Sequence, residues 1–100
     1  MKYQLTEAAR QDIRDIVHHI RFIQRSPQNA RLVASRLKEK FRVLAKMPMI
    51  GHIRAELNDE AARVVFVSGV LVIYDPTLKP LTILRVIHAS RDLTQIDTRK

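Results

Sequence analysis

An arginine interrupts the last apolar run of the chain. Arg85 lies in the middle of this run, and the alternation of a strand places it on the same face as Ile83 and Ile87. A guanidinium in such surroundings needs a partner or water, because an unpaired charge is costly to bury. Two interpretations follow: Arg85 binds an anion or phosphate, or it forms an ion pair with an acid such as Glu56 or Asp92.

A histidine with the chemistry for acid–base catalysis ends the same run. His88 lies on the opposite face, and Arg63, which opens an earlier apolar run, is expected near this end of the sheet. Imidazole can transfer a proton while guanidinium groups stabilise the charge on a phosphorane, and this chemistry needs no metal. If the protein cleaves RNA, its candidate catalytic residues are Arg63, Arg85 and His88. The alternative for His88 is a hydrogen bond that holds the C-terminal segment.

Metal ions and nucleotide cofactors are not expected. The chain has no cysteine, and His18 and His19 are adjacent, so on a helix they point about 100° apart and suit one metal poorly. His52 has no second ligand at metal-binding spacing. With 2 glycines, the chain has no glycine-rich loop to hold phosphate. We therefore predict no metal site and no cofactor.

Basic side chains outnumber acidic ones, most of all in the first half. The 100 residues include 18 Lys and Arg against 10 Asp and Glu, a net charge of +8. Residues 1–50 hold 11 basic and 4 acidic side chains, a net charge of +7, and residues 51–100 hold 7 and 6. This excess predicts a polyanionic or acidic partner, with a solvated helix face as the alternative for any single side chain.

Length and composition indicate a single soluble domain over residues 1–100. The polar N-terminus does not match a signal peptide, and no apolar run approaches the ~18 residues needed to span a bilayer. The lack of cysteine fits a reducing compartment. We expect a cytoplasmic protein that has no membrane partner.

Two helices are expected in the first half of the chain. Thr6 and Ser26 are typical N-cap residues, and Pro27 suits the first turn of the second helix. That helix ends at Met47, since the residue before Pro48 is pushed out of the helical region. Apolar residues repeat at helical spacing after each cap: Ala9, Ile13, Ile16, Val17, Ile20 and Ile23, then Ala30, Val33, Ala34, Leu37, Phe41, Leu44 and Ala45. The short link predicts an antiparallel helical hairpin.

Strands follow in the second half, after a short strand at the N-terminus. The predicted strands are 2–5, 63–67, 70–75 and 81–88. Ser68 and Gly69 form a tight turn between the second and third. Residues 54–62 are predicted as a loop or helical turn, and residues 91–96 as one short helical turn. The pattern predicts an α+β fold of order β-α-α-β-β-β, with the N-terminal helical hairpin packed on a mainly antiparallel four-stranded sheet.

Three stretches together resemble the ParE branch of the RelE/ParE superfamily of bacterial toxins. They are Ala8–Ile16, Met47–Leu57 and Ile83–Leu93. The second matches P-x-I-G-x-x-R-x-E-L, and the third is close to I-x-R-V-L-H-x-x-R-D. The resemblance covers nearly the whole chain and its element order. It implies structural roles for the motif residues Gly51, Arg54, Glu56, Arg85 and Asp92.

The resemblance also implies a function. ParE-like toxins are described as inhibitors of DNA gyrase that a cognate antitoxin neutralises, which links them to growth inhibition and plasmid stabilisation. The alternative is a ribosome-dependent mRNA endoribonuclease of the RelE type, whose partners are the ribosome and mRNA. Many of those nucleases have a C-terminal tyrosine, and this chain has none after Tyr74. For a gyrase inhibitor, the polar segment 91–100 is the predicted target-binding region, with Arg91, Arg99 and Lys100.

Overall fold

The structure, a computed structural model, describes residues 2–99. In chain order the elements are β1 (Tyr3–Leu5), α1 (Glu7–His18), a π-helical turn (His19–Ile23), α2 (Pro27–Lys46), a 3₁₀ turn (Ala55–Leu57), β2 (Arg63–Val67), β3 (Val70–Asp75), β4 (Leu81–His88) and a second 3₁₀ turn (Leu93–Gln95). This order is the predicted one. None of the described helices combines the length and the apolar sequence that a bilayer crossing requires.

The four strands form one mixed sheet in the order β1-β4-β3-β2. β1 runs parallel to β4, while β4, β3 and β2 are antiparallel neighbours. The sheet is mainly antiparallel, so the predicted α+β fold class is confirmed. The strand order does not follow from the sequence, because β1 pairs with a distant segment: Gln4 and Thr82, whose side chains are hydrogen-bonded, are 78 positions apart.

Apolar side chains are buried on both faces of the sheet. On one face, both helices contribute to a cluster that includes Ala9, Leu37, Phe41 and Val72. The C-terminal segment and the turn before β2 cover the opposite face, through the cluster Leu57, Ala62, Val64, Leu71, Ile73, Leu84, Ile87, Leu93 and Ile96. This second layer was not predicted. It explains why every residue of β3 is buried, since both faces of that strand are covered.

Both helices begin at the predicted caps. Thr6 Oγ1 accepts the N–H of Ala9 at 3.0 Å, and Ser26 caps α2 in the same way at 3.3 Å. Thr6 also binds β4, because its N–H donates to the Ile83 carbonyl at 3.0 Å and its hydroxyl to the Leu84 carbonyl at 2.8 Å. The cap therefore joins α1 to the sheet where β1 ends.

A β-bulge interrupts the alternation of β4. Tyr74 of β3 pairs with Ile83, but Ile73 pairs with Arg85, so one residue of β4 has no counterpart. Ile83 consequently packs on the helix side and Ile87 on the opposite face. The prediction that Ile83 shares the face of Arg85 is wrong, because the extra residue lies between them and reverses the alternation. Ile87 keeps the predicted face, since β4 is regular from Arg85 onward.

The apolar stripe of the first helix ends earlier than predicted. Ile13, Ile16 and Ile20 pack against the helix-side cluster, whereas Ile23 is 65% exposed. Residues 19–23 form a π-helical turn, and its wider ring rotates Ile23 away from the stripe that an α-helix would continue. The expectation that Ile23 belongs to the core is wrong for this reason.

Candidate functional site

Arg85 is bound to α1. Its Nε donates to Oδ2 of Asp12 at 2.7 Å and its Nη2 donates to Oδ1 at 2.9 Å, which makes a bidentate ion pair. The two side chains are 19% and 14% exposed. Hydrogen bonding to Asp12 raises the pKa of Arg85 above its usual value. The prediction that Glu56 or Asp92 pairs with Arg85 is therefore wrong, because the partner is Asp12 of α1.

Asp12 also accepts a backbone hydrogen bond at the edge of β4. Its Oδ2 accepts the N–H of Val86 at 3.0 Å, beyond the stretch of β4 that the short β1 covers. One carboxylate thus neutralises a guanidinium and binds a backbone N–H that has no strand neighbour on that side. The Arg85 guanidinium therefore binds a carboxylate of the protein itself, and not the anion or phosphate of the first interpretation.

His88 closes the turn after β4. Its Nδ1 accepts the N–H of Ser90 at 3.1 Å and lies 2.7 Å from the Ser90 hydroxyl. The His88 carbonyl accepts the N–H of Arg91 at 3.0 Å. These contacts agree with the interpretation in which His88 holds the C-terminal segment.

Arg63 and Tyr74 hold the turn that precedes β2. Arg63 Nη1 donates to the carbonyls of Gly51 at 2.7 Å and Met49 at 3.3 Å. The Tyr74 hydroxyl accepts the N–H of Gly51 at 2.9 Å and donates to the Pro48 carbonyl at 2.8 Å. Burial raises the pKa of Tyr74, so the hydroxyl stays protonated and can donate. These hydrogen bonds fix the turn that contains the Pro-x-x-Gly motif.

The candidate catalytic residues do not converge. Arg63 pairs with Tyr74 at one end of the sheet, whereas Val67, Val70 and His88 are aligned at the other end. The length of β2, roughly 14 Å, separates the two ends. The expectation that Arg63 lies near His88 is wrong, because β2 and β4 run in the same direction and the start of one is far from the end of the other.

Arg99 anchors the C-terminal segment. Its Nε and Nη2 bind the two carboxylate oxygens of Asp59 at 2.8 and 3.0 Å, and Nη2 lies 2.8 Å from Oδ2 of Asp75. Thr98 donates its hydroxyl to Asp59 at 2.6 Å. Burial acts to raise the pKa of Asp75, but hydrogen bonds from Thr77 and Arg99 outweigh it and hold the pKa below its usual value. Arg99 is therefore engaged within the chain, although 43% of its side chain is exposed.

The ion pair between Asp59 and Arg99 should make stability depend on acid pH. The hydrogen bond from Arg99 is the main cause that lowers the pKa of Asp59 from 3.8 to about 2. Because folded Asp59 binds a proton more weakly than the unfolded chain does, this stabilisation is complete above about pH 4 and is lost as the pH falls through about 2. We expect Asp59→Asn to lower the free energy of unfolding by about 1 to 2 kcal/mol at neutral pH and by little near pH 2.

Urea denaturation of the wild type and Asp59→Asn across this pH range measures the difference. The comparison cancels the titration of the acids that do not contact Arg99, since both proteins contain them. A difference that stays constant down to pH 2 would contradict this role of the Asp59 carboxylate.

The remaining motif residues make local contacts. Arg54 and Glu56 form an exposed ion pair at 3.0 Å, and the hydrogen bond from Arg54 lowers the pKa of Glu56. Asp92 begins the last 3₁₀ turn, where its Oδ1 accepts the N–H and the hydroxyl of Thr94 at 3.0 and 2.7 Å. These hydrogen bonds lower the pKa of Asp92. The contacts are compatible with the structural roles that the resemblance implies.

The predicted target-binding residues differ in whether their side chains are free to bind a partner. Arg91 is exposed, forms no ion pair within residues 2–99, and lines a groove of about 250 Å³ with His19 and His88. Lys100 lies outside the described residues. Ile96 is buried and Arg99 is paired, so the segment between them belongs to the folded structure.

A crevice with basic rims runs between the two helices, and Tyr3 and Leu5 of β1 line one end of it. Cavities of about 300 Å³ and about 170 Å³ follow one another there and share Ala34 in their lining. The basic crevice has the rim residues Arg10, Arg14, Arg21, Arg31 and Lys38 over the apolar residues Ile13, Val17, Ala34, Leu37 and Phe41. Of these cations, Arg14 pairs with Glu7 at 3.1 Å, and the other four form no ion pair within the described chain.

A family model matches residues 3–93, and its description is ParE toxin of the type II toxin–antitoxin system, parDE. The chain belongs to this ParE family. The resemblance carried by the three sequence stretches is thereby confirmed, and the protein is the toxin of a type II toxin–antitoxin system, which implies an antitoxin partner. Comparison with curated protein sequences gives no match.

Sequence reasoning missed two features of the ParE toxin that depend on packing. Asp12 was not recognised as the partner of Arg85, although an acid on the flank of the first apolar stripe was an available signal. The basic crevice was missed because the charge count does not say which cations share a face. Helical spacing offered a partial signal, since Arg10, Arg14 and Arg21 lie 4 and 7 residues apart on the α1 side.

Proposed function

We propose that this ParE toxin acts in the cytoplasm by binding and inhibiting DNA gyrase, and that its antitoxin neutralises it at the basic crevice. The family match over residues 3–93 supports the gyrase target. It does so because the resemblance to ParE-like toxins implies inhibition of gyrase. Inhibition of this kind needs a binding surface and no catalytic residues. The protein is then a poison of an enzyme and not itself an enzyme.

Ribosome-dependent RNA cleavage is the weaker candidate. Such cleavage needs an acid–base group and cations around one phosphate. Arg63 and His88 lie at opposite ends of the sheet, and Arg85 is occupied by Asp12. The chain also lacks a tyrosine after Tyr74. These observations favour the gyrase target over the ribosome.

The basic crevice suits an acidic amphipathic segment of the antitoxin. Its floor offers apolar contact to one side of a helix or extended chain, and cations on both rims can bind carboxylates on the flanks. Opposite charges across an interface accelerate association and select the partner. Part of the positive charge in the first half of the chain would therefore serve to bind the antitoxin.

The C-terminal end is the proposed gyrase-binding surface, with Arg91, Arg99 and Lys100. Deletion of residues 94–100 is a poor test of this surface, since it removes buried Ile96 and the anchoring Arg99. The substitution Arg91→Gln is a better one, because this exposed side chain forms no ion pair within residues 2–99. We expect Arg91→Gln to keep its fold and to weaken gyrase inhibition.

The decisive experiment is DNA supercoiling by purified gyrase with increasing toxin, beside cleavage of mRNA on programmed ribosomes with the same preparation. We expect supercoiling to stop while the mRNA stays intact. Added antitoxin should restore supercoiling, and restoration should need more antitoxin for the toxin variant Arg10→Gln/Lys38→Gln than for the control Arg54→Gln. Cleaved mRNA with unaffected supercoiling would instead establish the ribonuclease.

A further inference from the structure

The link of the helical hairpin is positively charged without compensation. No acidic residue occurs between Asp15 and Glu39, and this interval holds five cations, Arg21, Arg25, Arg31, Arg36 and Lys38. None of these side chains forms an ion pair with the part of the chain that the structure describes. We call residues 18–26, which contain the π-helical turn and the link to α2, the hairpin tip. A surface of this charge attracts a polyanion.

Two adjacent apolar side chains are exposed at the hairpin tip. Phe22 is 56% and Ile23 is 65% exposed, because the π-helical turn rotates them away from the core. The Arg21 guanidinium lies 5.3 Å from the centre of the Phe22 ring. The hairpin tip therefore presents apolar surface directly beside a cation, which a purely solvated helix end would not require.

An arginine occupies a backbone position at the tip that favours glycine. Arg25 has a φ of +53°, in the left-handed region, and follows the π-helical turn. The N–H of Ser26 closes this end of the helix by donating to the Ile20 carbonyl at 3.1 Å. Helices commonly end with such a left-handed residue, and glycine is its usual occupant. An arginine there is strained, and glycine would relieve that strain.

We propose that the hairpin tip binds duplex DNA. Arg21 and Arg25 contact phosphates of the DNA backbone, and Phe22 and Ile23 enter the groove that the two backbones enclose. Apolar side chains beside arginines are a known means of entering a DNA groove. The tip is exposed over residues 21–25, which suits insertion into a groove. The basic crevice, which shares Arg21 with the tip, is concave and suits a helical segment. A single aromatic residue favours a duplex over a single strand, whose binding uses several stacked bases.

Charge and apolar contact at the hairpin tip contribute separately to DNA affinity, and single substitutions measure each contribution. The assay is fluorescence anisotropy of a short labelled DNA duplex with the purified full-length toxin at several salt concentrations. We expect Arg25→Gly to keep or raise the thermal unfolding temperature, since glycine relieves the strain, and to reduce the slope of log affinity against log salt by about 0.9. We expect Phe22→Ala to weaken binding roughly tenfold, because apolar contact is lost, and to leave the slope unchanged.

Lys46→Gln is the matched control, because it also removes one charge but at the opposite end of α2. This control should change the affinity little. Equal losses in Arg25→Gly and Lys46→Gln would overturn the proposal, since the DNA would then sense only net charge. Displacement of the duplex by polyglutamate at equal charge would also overturn it, in favour of an acidic protein partner. The assay contains no gyrase, so its outcome is independent of the proposed target.

Discussion

Asp12→Ala is expected to lower the free energy of unfolding by about 3 kcal/mol. The substitution leaves the Arg85 guanidinium, 19% exposed, without its carboxylate. It also removes the acceptor of the Val86 N–H at the edge of β4. Both groups then lose a partner in a region with limited access to water, and such losses cost more than the ion pair itself contributes.

Two variants of the same helix show whether charge or hydrogen bonding dominates. Asp12→Asn keeps an acceptor for the Val86 N–H and removes only the charge, so its loss should be smaller than that of Asp12→Ala. Glu7→Gln breaks the exposed pair with Arg14 and should change the stability by less than about 0.5 kcal/mol. Urea denaturation gives all three values. A loss below 1 kcal/mol for Asp12→Ala would contradict the structural role of the pair.

The same ion pair gives a test of the toxic mechanism. If the protein acts through a binding surface, Arg85→Ala should reduce toxicity only as far as it destabilises the fold. Thermal unfolding, antitoxin binding and growth inhibition of this variant are therefore measured together. An Arg85→Ala protein that stays folded and binds antitoxin, yet has lost all toxicity, would contradict gyrase inhibition through a surface and restore Arg85 as a catalytic candidate.

Local signals in the sequence predict the elements well. The caps at Thr6 and Ser26 lie where the structure has them, since a hydroxyl can reach the first turn only from that position. The tight turn between β2 and β3 is also confirmed, because Ser68 and Gly69 both have positive φ, at 49° and 84°. Such features depend on neighbours in sequence, and the sequence contains all the information they need.

Features that depend on distant residues could not be predicted in the same way. Asp12 and Arg85 are 73 positions apart, so the choice of Asp12 over Glu56 or Asp92 follows from how α1 packs on β4. The place of Arg63 depends on the direction of β2 relative to β4. For the candidate site, charge and resemblance indicated a toxin with an antitoxin partner, but packing decides which cations share a face.

Gly51→Ala is the second substitution with a large expected effect, a loss of about 3 kcal/mol of unfolding free energy. An alanine Cβ would lie 2.5 Å from the Tyr74 hydroxyl oxygen and 2.8 Å from ring carbon Cε1. Tyr74 is fully buried in the helix-side cluster and cannot move aside. The turn must therefore shift, which breaks its hydrogen bonds to Tyr74 and stretches the 2.7 Å bond from Arg63 to the Gly51 carbonyl.

Gly69→Ala separates this steric effect from backbone strain. Apart from its two chain neighbours, no heavy atom of the described residues lies within 4 Å of its Cβ position, but its φ is +84°, so we expect a loss of about 1 kcal/mol from conformation alone. Tyr74→Phe keeps the ring and removes both hydrogen bonds, which should cost about 1 to 2 kcal/mol. Because Phe also removes the closest clashing atom, the double variant Gly51→Ala/Tyr74→Phe should lose less than the sum of its single variants. Additive losses would show that Gly51 is needed for some reason other than its contact with Tyr74.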